Sequence, residues 1–290
     1  MKTTDLTTCM ICRRKSGKSA IGLLAALLGG TAGATTTCDS SLPLAESEDE
    51  WGLGAFAVTA QNVHGLYAVP SDHAVPVVQM LLNGHVHEPR TLERIRQLAG
   101  DSGHIVSGGA YIGDLIPAIA KRTSGVVYSF EPVHEHFQFA CATVRLNNLT
   151  NVVLAQTAVS GKNGVQLMAT WRNGKKLGGR SMVASDAATA TELGLLTETV
   201  TVTAIDELVP PDVNVRVLQL DVEGHVLEAL QGATRMLRSW RPHLVLESGG
   251  AEADAEVARF VAAFGYRSWD FVEMNRFYSV GEALSELSEY

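Results

Sequence analysis

The spacing of apolar and polar positions changes sharply over residues 105–131, and the rest of the chain can be organised around that change. The segment opens on a short apolar run, turns through Gly108-Gly109-Ala110-Tyr111-Ile112-Gly113, and then places Leu115, Ile116 and Ile119 at helical spacing. A second apolar run, residues 126–130, is closed by Glu131. Strand-like runs on either side of a glycine turn and a helical stretch predict a β-turn-α-β unit. Glycines let such a turn pass close to a ligand, the helix N-terminus faces it, and an acid ending the second strand can accept ribose hydroxyls. The segment therefore predicts a nucleoside-cofactor site.

Upstream, residues 55–69 alternate enough to predict short strands with turns at Asn62 and Gly65. Residues 75–82 and 91–98 predict helices, the first ended by Gly84, the second with Leu92, Ile95 and Leu98 on one face. Downstream, residues 134–146 predict a helix with Phe137, Ala140, Cys141 and Val144 on one face, followed by a strand at 152–154. Gly161 to Gly164 turns into a strand at 165–170, and residues 172–179 read as a basic, glycine-rich loop. Residues 200–204 predict a half-exposed strand, and the apolar run 213–220 predicts a central parallel strand that delivers Asp221. A helix over 224–237, a strand at 244–246, a helix over 254–264 and strands at 266–271 and 276–280 complete the alternation. The expected parts are an extension over 1–45, a flank or lid over 46–100 and an α/β domain over 101–290.

Composition narrows the class. A chain of 290 residues that is 46% hydrophobic and 19% charged can bury a sizeable core. Its formal charge of −8 argues against a nucleic-acid partner, because a phosphate backbone is held by clustered Lys and Arg. The one tight basic cluster, Arg13, Arg14, Lys15 and Lys18, precedes an apolar run over 20–30 and the small residues Ala32-Gly33-Ala34. That order reads either as a secretory or organelle signal over 10–34, or as a flexible extension or mis-called start. The apolar run is shorter than the roughly 20 residues a helix needs to cross a bilayer, so no stable membrane span is expected. The domain behind it looks like a user of a cytosolic cofactor, so the expectation is a cytoplasmic protein unless residues 10–34 act as a signal.

Four cysteines, Cys9, Cys12, Cys38 and Cys141, are too few and too unevenly spread for a disulfide scaffold, and only Cys141 is expected in the core. Cys9-x-x-Cys12 lacks a second pair at zinc spacing, and His85, His87 and Glu88 read as a polar loop near the cofactor mouth. No metal is expected.

The turn alone leaves the cofactor open. Gly108-x-Ala110-x-x-Gly113 is a degraded dinucleotide fingerprint with Glu131 at about the spacing of its ribose acid, so an NAD-dependent oxidoreductase also fits this segment. Other motifs separate the readings: Gly109-Ala110-Tyr111-Ile112-Gly113-Asp114, Phe130-Glu131-Pro132, Asn147, Asn151-Val152, Ala158-Val159-Ser160 and Thr203-Ala204-Ile205-Asp206-Glu207-Leu208. The most specific is Leu220-Asp221-Val222-Glu223-Gly224-His225, with Leu230-x-Gly232-Ala233 and Arg241-Pro242 behind it. Through these residues the chain resembles the FkbM-type family of S-adenosylmethionine-dependent methyltransferases over residues 85–280.

The resemblance implies a doubly wound, mostly parallel, Rossmann-like α/β sheet of seven strands, one of them antiparallel near the C-terminus. It implies S-adenosyl-L-methionine as cofactor and O-methylation of a small metabolite, sugar or natural product. Carried over to this chain, Gly109, Ala110 and Gly113 lie against the methionine part of the cofactor, with Asp114 beside them and Glu131 on the ribose. Glu88 matches an upstream acid, and Asp221 and Glu223 face the sulfonium from the end of the fourth strand. Two positions depart: Ser107 stands where the family has an acid ending its first strand, and Val226 where the D-V-E-G run has its second acid. These departures keep open a binding module of the same fold without catalysis.

Methyl transfer is an in-line displacement, so the protein must align a nucleophile, and an alcohol acceptor also needs a base. Asp221, Glu223 and His225 follow the strand that borders the crevice, and His225 is the best base by its unperturbed pKa. Arg172, Lys175, Lys176 and Arg180 lie among Gly174, Gly178 and Gly179, either as a solvated loop or as a closure over an anionic small-molecule acceptor. The oligomeric state is left open.

Overall fold

The computed structural model describes residues 36–38, 57–71 and 75–281. The signal-like run and the Cys9-x-x-Cys12 pair lie outside the described residues. The chain enters through β1 (Thr36–Thr37), β2 (Ala57–Asn62), β3 (Gly65–Pro70), α1 (Pro76–Leu82) and α2 (Pro89–Ala99). It continues as β4 (His104–Gly108), α3 (Ile116–Ala120), β5 (Val127–Phe130), α4 (His134–Leu146), β6 (Val152–Gln156) and β7 (Ala158–Val159). Then come β8 (Gly164–Arg172), β9 (Lys175–Lys176), β10 (Met182–Ala184), α5 (Ala187–Glu192), β11 (Leu195–Thr203) and α6 (Ile205–Leu208). The last elements are β12 (Val215–Leu220), α7 (Val226–Gln231), α8 (Thr234–Ser239), β13 (His243–Glu247), α9 (Ala251–Ala262), β14 (Tyr266–Val272) and β15 (Asn275–Val280).

The main sheet has eight strands in the order β1-β6-β5-β4-β12-β13-β15-β14. β6, β5, β4, β12 and β13 run parallel, and β15 lies antiparallel between β13 and β14. The expected count of seven falls short by β1, a two-residue strand antiparallel to the edge of β6. Strand alternation gives the sheet two covered faces. Ile105, Val127, Val152, Val217, Val245 and Phe277 pack with α2, α3 and α4, while Val106, Tyr128, Val153, Leu218, Leu244 and Tyr278 pack with α6 to α9. Adjacent residues of one strand thus serve opposite cores, which is why its strands read as near-continuous apolar runs.

Two of the four cysteines pair, correcting the expectation that only Cys141 enters the core. Cys38 is buried and disulfide-bonded to Cys141, with their Cα atoms 5.6 Å apart. β1 lies along β6, and the Cys38 N–H donates to the Leu154 carbonyl (2.9 Å), which carries Cys38 onto α4. A sequence separation of 103 residues hides this pairing from any local pattern.

The helix expected over 224–237 is two helices. Gly232 ends α7 where its backbone passes so close to Ser160 that a Cβ would collide with the Ser160 carbonyl. The Asp206 carboxylate then accepts from the N–H groups of Arg235 (2.6 Å) and Met236 (3.0 Å), satisfying the free donors at the start of α8.

A second sheet, β10-β8-β11-β7 with β9 on β8, takes in the strands expected over 165–170 and 200–204, and β9 stands in the expected loop over 172–179. β8 and β9 form a hairpin whose tip, Asn173-Gly174, is left-handed at both residues (φ 49° and 74°). An Asn-Gly pair between strand formers is the sequence signature of that turn, and it was the available signal.

Candidate functional site

β4, β5, β6, β12 and β13 end on one edge of the main sheet, and the residues at those ends line a cavity of about 410 Å³. Gly109 follows β4, Glu131 follows β5, Thr157 follows β6, Asp221 and Glu223 follow β12, and Glu247 ends β13. Open α/β sheets bind ligands at this edge, and small-molecule sites span about 300–1,000 Å³.

The glycine turn forms the floor. The N–H groups of Gly109 and Ala110 both donate to the Phe130 carbonyl (3.0 and 2.9 Å), so the turn is tied to the end of β5. Gly109 has φ 84°, and a Cβ there would collide with the Asp221 carbonyl. Only glycine lets the turn and the segment after β12 approach this closely. Gly113 (φ 81°) is close-packed instead against Ala140 and Thr143 of α4. The structure thus brings Glu88, Gly109, Asp114, Glu131, Asp221, Glu223 and His225 to the cavity, while Ala110 and Gly113 support the turn from outside its lining.

Glu131 is 5% exposed, and its carboxylate accepts from the N–H groups of Tyr111 (2.8 Å) and Val133 (2.9 Å). His136 Nδ1 lies 3.5 Å away, and the His136 ring meets that of Tyr111 edge-on. On the opposite wall, Asp114 pairs with His87 (2.8 Å). Burial disfavours the charge on His87, but the hydrogen bond and charge of Asp114 outweigh it and raise the histidine pKa. Glu88, left-handed at φ 44°, accepts from the Asn275 side chain (2.8 Å), and burial raises its pKa.

The carboxylates of Asp221, Glu223 and Glu247 lie within 4.8 Å of one another. Glu223 (φ 48°) and Gly224 (φ 84°) make a left-handed turn after β12, and the Glu223 N–H donates to Glu247 (3.3 Å). Burial and the neighbouring Glu247 raise Asp221 well above the ordinary carboxyl range. The same two causes lift Glu223 to about 7, with Arg180 pulling it down. Oxygens this close repel unless a proton or a cation sits among them. Glu247 is the residue that the sequence reading missed. It ends an ordinary buried strand, and only the register Leu220↔Leu246 places it beside Asp221.

His225 Nε2 lies 3.1 Å from Ser160 Oγ and Nδ1 lies 3.6 Å from Glu228, so both ring nitrogens face protein partners. Ser107 is buried and donates to Gln219 (2.6 Å), and Val226 is buried in the core; neither lines the cavity. Met168 and Val183 of the second sheet, with Leu177, Gly179 and Arg180 from the turn between β9 and β10, also line the cavity. Of the four cations in the β8–β9 region, Arg180 lines the cavity, while Lys176 pairs with Glu135 (2.7 Å) and covers the Trp171 ring. Arg172 and Lys175 are exposed. Among the described residues, no helix is long and apolar enough to cross a membrane.

The model of the methyltransferase FkbM domain matches residues 107–268. Among solved structures, the chain is similar to a methyltransferase FkbM from Methylobacillus flagellatus, at 17% identity over 70% of this chain and 52% of that one (TM-score 0.47). It thus spans about half the length of that protein. It is also similar to precorrin-6y C5,15-methyltransferase from Geobacter metallireducens, at 13% identity over 66% of this chain and 84% of that one (TM-score 0.40). A third is TYW2 from M. jannaschii, solved in complex with AdoMet, at 10% identity over 77% of this chain and 83% of that one (TM-score 0.40). Compared with curated proteins, the chain matches none.

Proposed function

Because the chain belongs to the FkbM methyltransferase family, whose cofactor is S-adenosylmethionine, we propose that it O-methylates a hydroxyl of a small metabolite, sugar or natural product. The observation that carries the reading is one cavity with Glu131 at a nucleoside-like end and Asp221, Glu223 and Glu247 at the other. The cavity fits the cofactor. Gly109 leaves bare backbone on the floor, Glu131 offers an acid for the ribose, and Val133, Ala158 and Met168 offer apolar surface for a base. The acids opposite suit a cationic sulfonium.

The cofactor supplies a methyl group activated on that sulfonium. The chain must then align the acceptor, exclude water and take a proton. Glu223 is our candidate base: it borders the cavity and titrates near 7, where a base is both available and strong enough. His225 is reassigned as a positioning residue, since Ser160 and Glu228 hold its two nitrogens. The anionic-acceptor reading now rests on Arg180, the cation from that segment at the cavity. The Cys38–Cys141 bond bears on location: cytosolic reductants open such bonds, so it supports the signal reading of residues 10–34 over the cytoplasmic one.

Titration calorimetry with S-adenosylhomocysteine, followed by methyl transfer from labelled cofactor to a panel of hydroxyl-bearing metabolites, tests the proposal. Glu223→Gln should bind the cofactor product normally yet lose about 100-fold in kcat. No heat with the wild type, or transfer only to carbon or nitrogen acceptors, would overturn it.

A further inference from the structure

S-adenosylmethionine carries, besides its permanently charged sulfonium, an α-ammonium that is protonated at neutral pH, and a carboxylate in the cavity can hold that group. The acids lining this cavity differ in how much of that capacity is already engaged. Both oxygens of Glu131 accept backbone N–H groups at the end next to Phe130, Val133 and Ala158. Asp114 is paired with His87 at 2.8 Å, and Glu88 is held by Asn275 at 2.8 Å. Glu223 has Arg180 as its neighbouring cation. Asp221 and Glu247 bring their oxygens within 4.8 Å of each other; Glu247 accepts the Glu223 N–H at 3.3 Å, and among the described residues neither acid forms an ion pair.

The backbone fixes this pair. The Asp221 N–H donates to the Gly108 carbonyl (3.0 Å), and the neighbouring register of β12 with β13 sets Glu247 alongside, one residue past the Leu220↔Leu246 pairing. Asp221 is thereby fixed against the glycine turn, and Glu247 beside it at the end of β13.

We propose that Glu247, acting with Asp221, is the carboxylate anchor for the cofactor's ammonium group. The inference rests on the methyltransferase reading and adds to it a residue and a contact. A cation arriving between the two acids relieves the repulsion of their crowded oxygens. Burial, together with Glu247, Glu88 and Glu223, raises the Asp221 carboxyl, and an ammonium beside it favours the ionised form. Binding therefore releases a proton, and affinity rises with pH until Asp221 is ionised without help.

Two ligands separate this role from a structural one. S-adenosylhomocysteine carries the ammonium, whereas 5′-methylthioadenosine keeps the nucleoside and thioether and lacks the amino-acid end. In calorimetry, Glu247→Gln should weaken S-adenosylhomocysteine by about 10- to 100-fold, leave 5′-methylthioadenosine unchanged and flatten the rise of affinity with pH. A deaminated S-adenosylhomocysteine analogue should lose a similar factor on the wild-type protein, where folding of a variant plays no part. Equal weakening of both ligands by Glu247→Gln, or full affinity for the deaminated analogue, would overturn the assignment. If the wild type bound neither nucleoside, the methyltransferase reading itself would fall, an outcome distinct from either of these.

Discussion

The two ends of the cavity hold carboxylates in opposite conditions. At one end, Glu131 is buried but receives two backbone N–H donors, so its charge is compensated by dipoles built into the chain. At the other end, Asp221, Glu223 and Glu247 crowd within 4.8 Å of one another, and burial with mutual repulsion raises Asp221 and Glu223. The first end is organised before any ligand arrives. The second is unfavourable as it stands and becomes favourable when positive charge enters. A site that accepts a ribose at one end and a cationic sulfonium at the other needs both conditions, because neutral hydroxyls want a preset acceptor and a cation wants uncompensated negative charge.

The comparison breaks most easily at Glu131. Glu131→Ala leaves two buried N–H groups without an acceptor and should cost about 2–4 kcal/mol of folding stability, together with a loss of roughly 100-fold or more in S-adenosylhomocysteine affinity. Thermal melting and calorimetry read the two effects separately. A variant with wild-type melting and wild-type affinity would mean that the preset end is not preset.

The disulfide comes next, because Cys141 lies on α4, the helix that also carries His136 beside Glu131. Cys38→Ser, or reduction, should remove about 3 kcal/mol and lower the melting temperature by roughly 6–12 °C. The pH dependence of S-adenosylhomocysteine binding, a property of the acid end, should survive. Thiol labelling with peptide mapping, before and after denaturation, checks the bond; labelling of Cys38 and Cys141 themselves in protein purified without reductant would exclude it, whereas Cys9 and Cys12 lie outside the pair.

Glu223 provides a smaller, signed effect. Its folded pKa of about 7 lies above the ordinary 4.5, so the folded protein holds a proton that the unfolded chain has released between those values. The associated stability is therefore fully present below pH 4.5 and is lost as pH rises through 7. After allowance for solvent screening the loss is of the order of 1 kcal/mol. It should show as a falling melting temperature of the ligand-free protein that Glu223→Gln flattens, and a slope untouched by that change would remove Glu223 from the crowded end.

The smallest effect is expected at the hairpin. Lys175→Ala with Lys176→Ala removes an exposed cation and one ion pair, worth at most about 1 kcal/mol, and should leave cofactor affinity unchanged and the acceptor KM within about twofold. A larger, salt-dependent rise in acceptor KM would bring the anionic acceptor back.

Much of the frame was legible along the chain. His134–Leu146 was expected with the limits it has, because thirteen residues with one apolar face and an Asn-Asn stop repeat the same local message. β12 was expected as a central strand because residues 213–220 are largely apolar, and every residue of Val215–Leu220 except Arg216 is buried. β8 was expected as a strand over 165–170, but its return through β9 was expected as a loop over 172–179, because charges and glycines outweighed the Asn-Gly signature. The site divides the same way. Gly109, Glu131, Asp221 and Glu223 stand in the motifs that carry the family resemblance and line the cavity, whereas Glu247 stands at the end of an unremarkable strand.

What the sequence by itself determined is therefore whatever depends on neighbours within a few residues: periods, turns, the β-turn-α-β unit, the Asp221-Val222-Glu223-Gly224 run and through it the family. What only the tertiary structure decided depends on register and approach between distant segments. Cys38 finds Cys141 across 103 residues by way of the β6 edge, and Glu247 finds Asp221 through the pairing of β12 with β13. His225 turns to Ser160 and Glu228 by the way α7 starts. The physical reason is one of range. Propensity and hydrophobic period act along the chain, whereas the charge state of a carboxylate is set by whichever groups the fold brings within a few ångströms, wherever they lie in sequence.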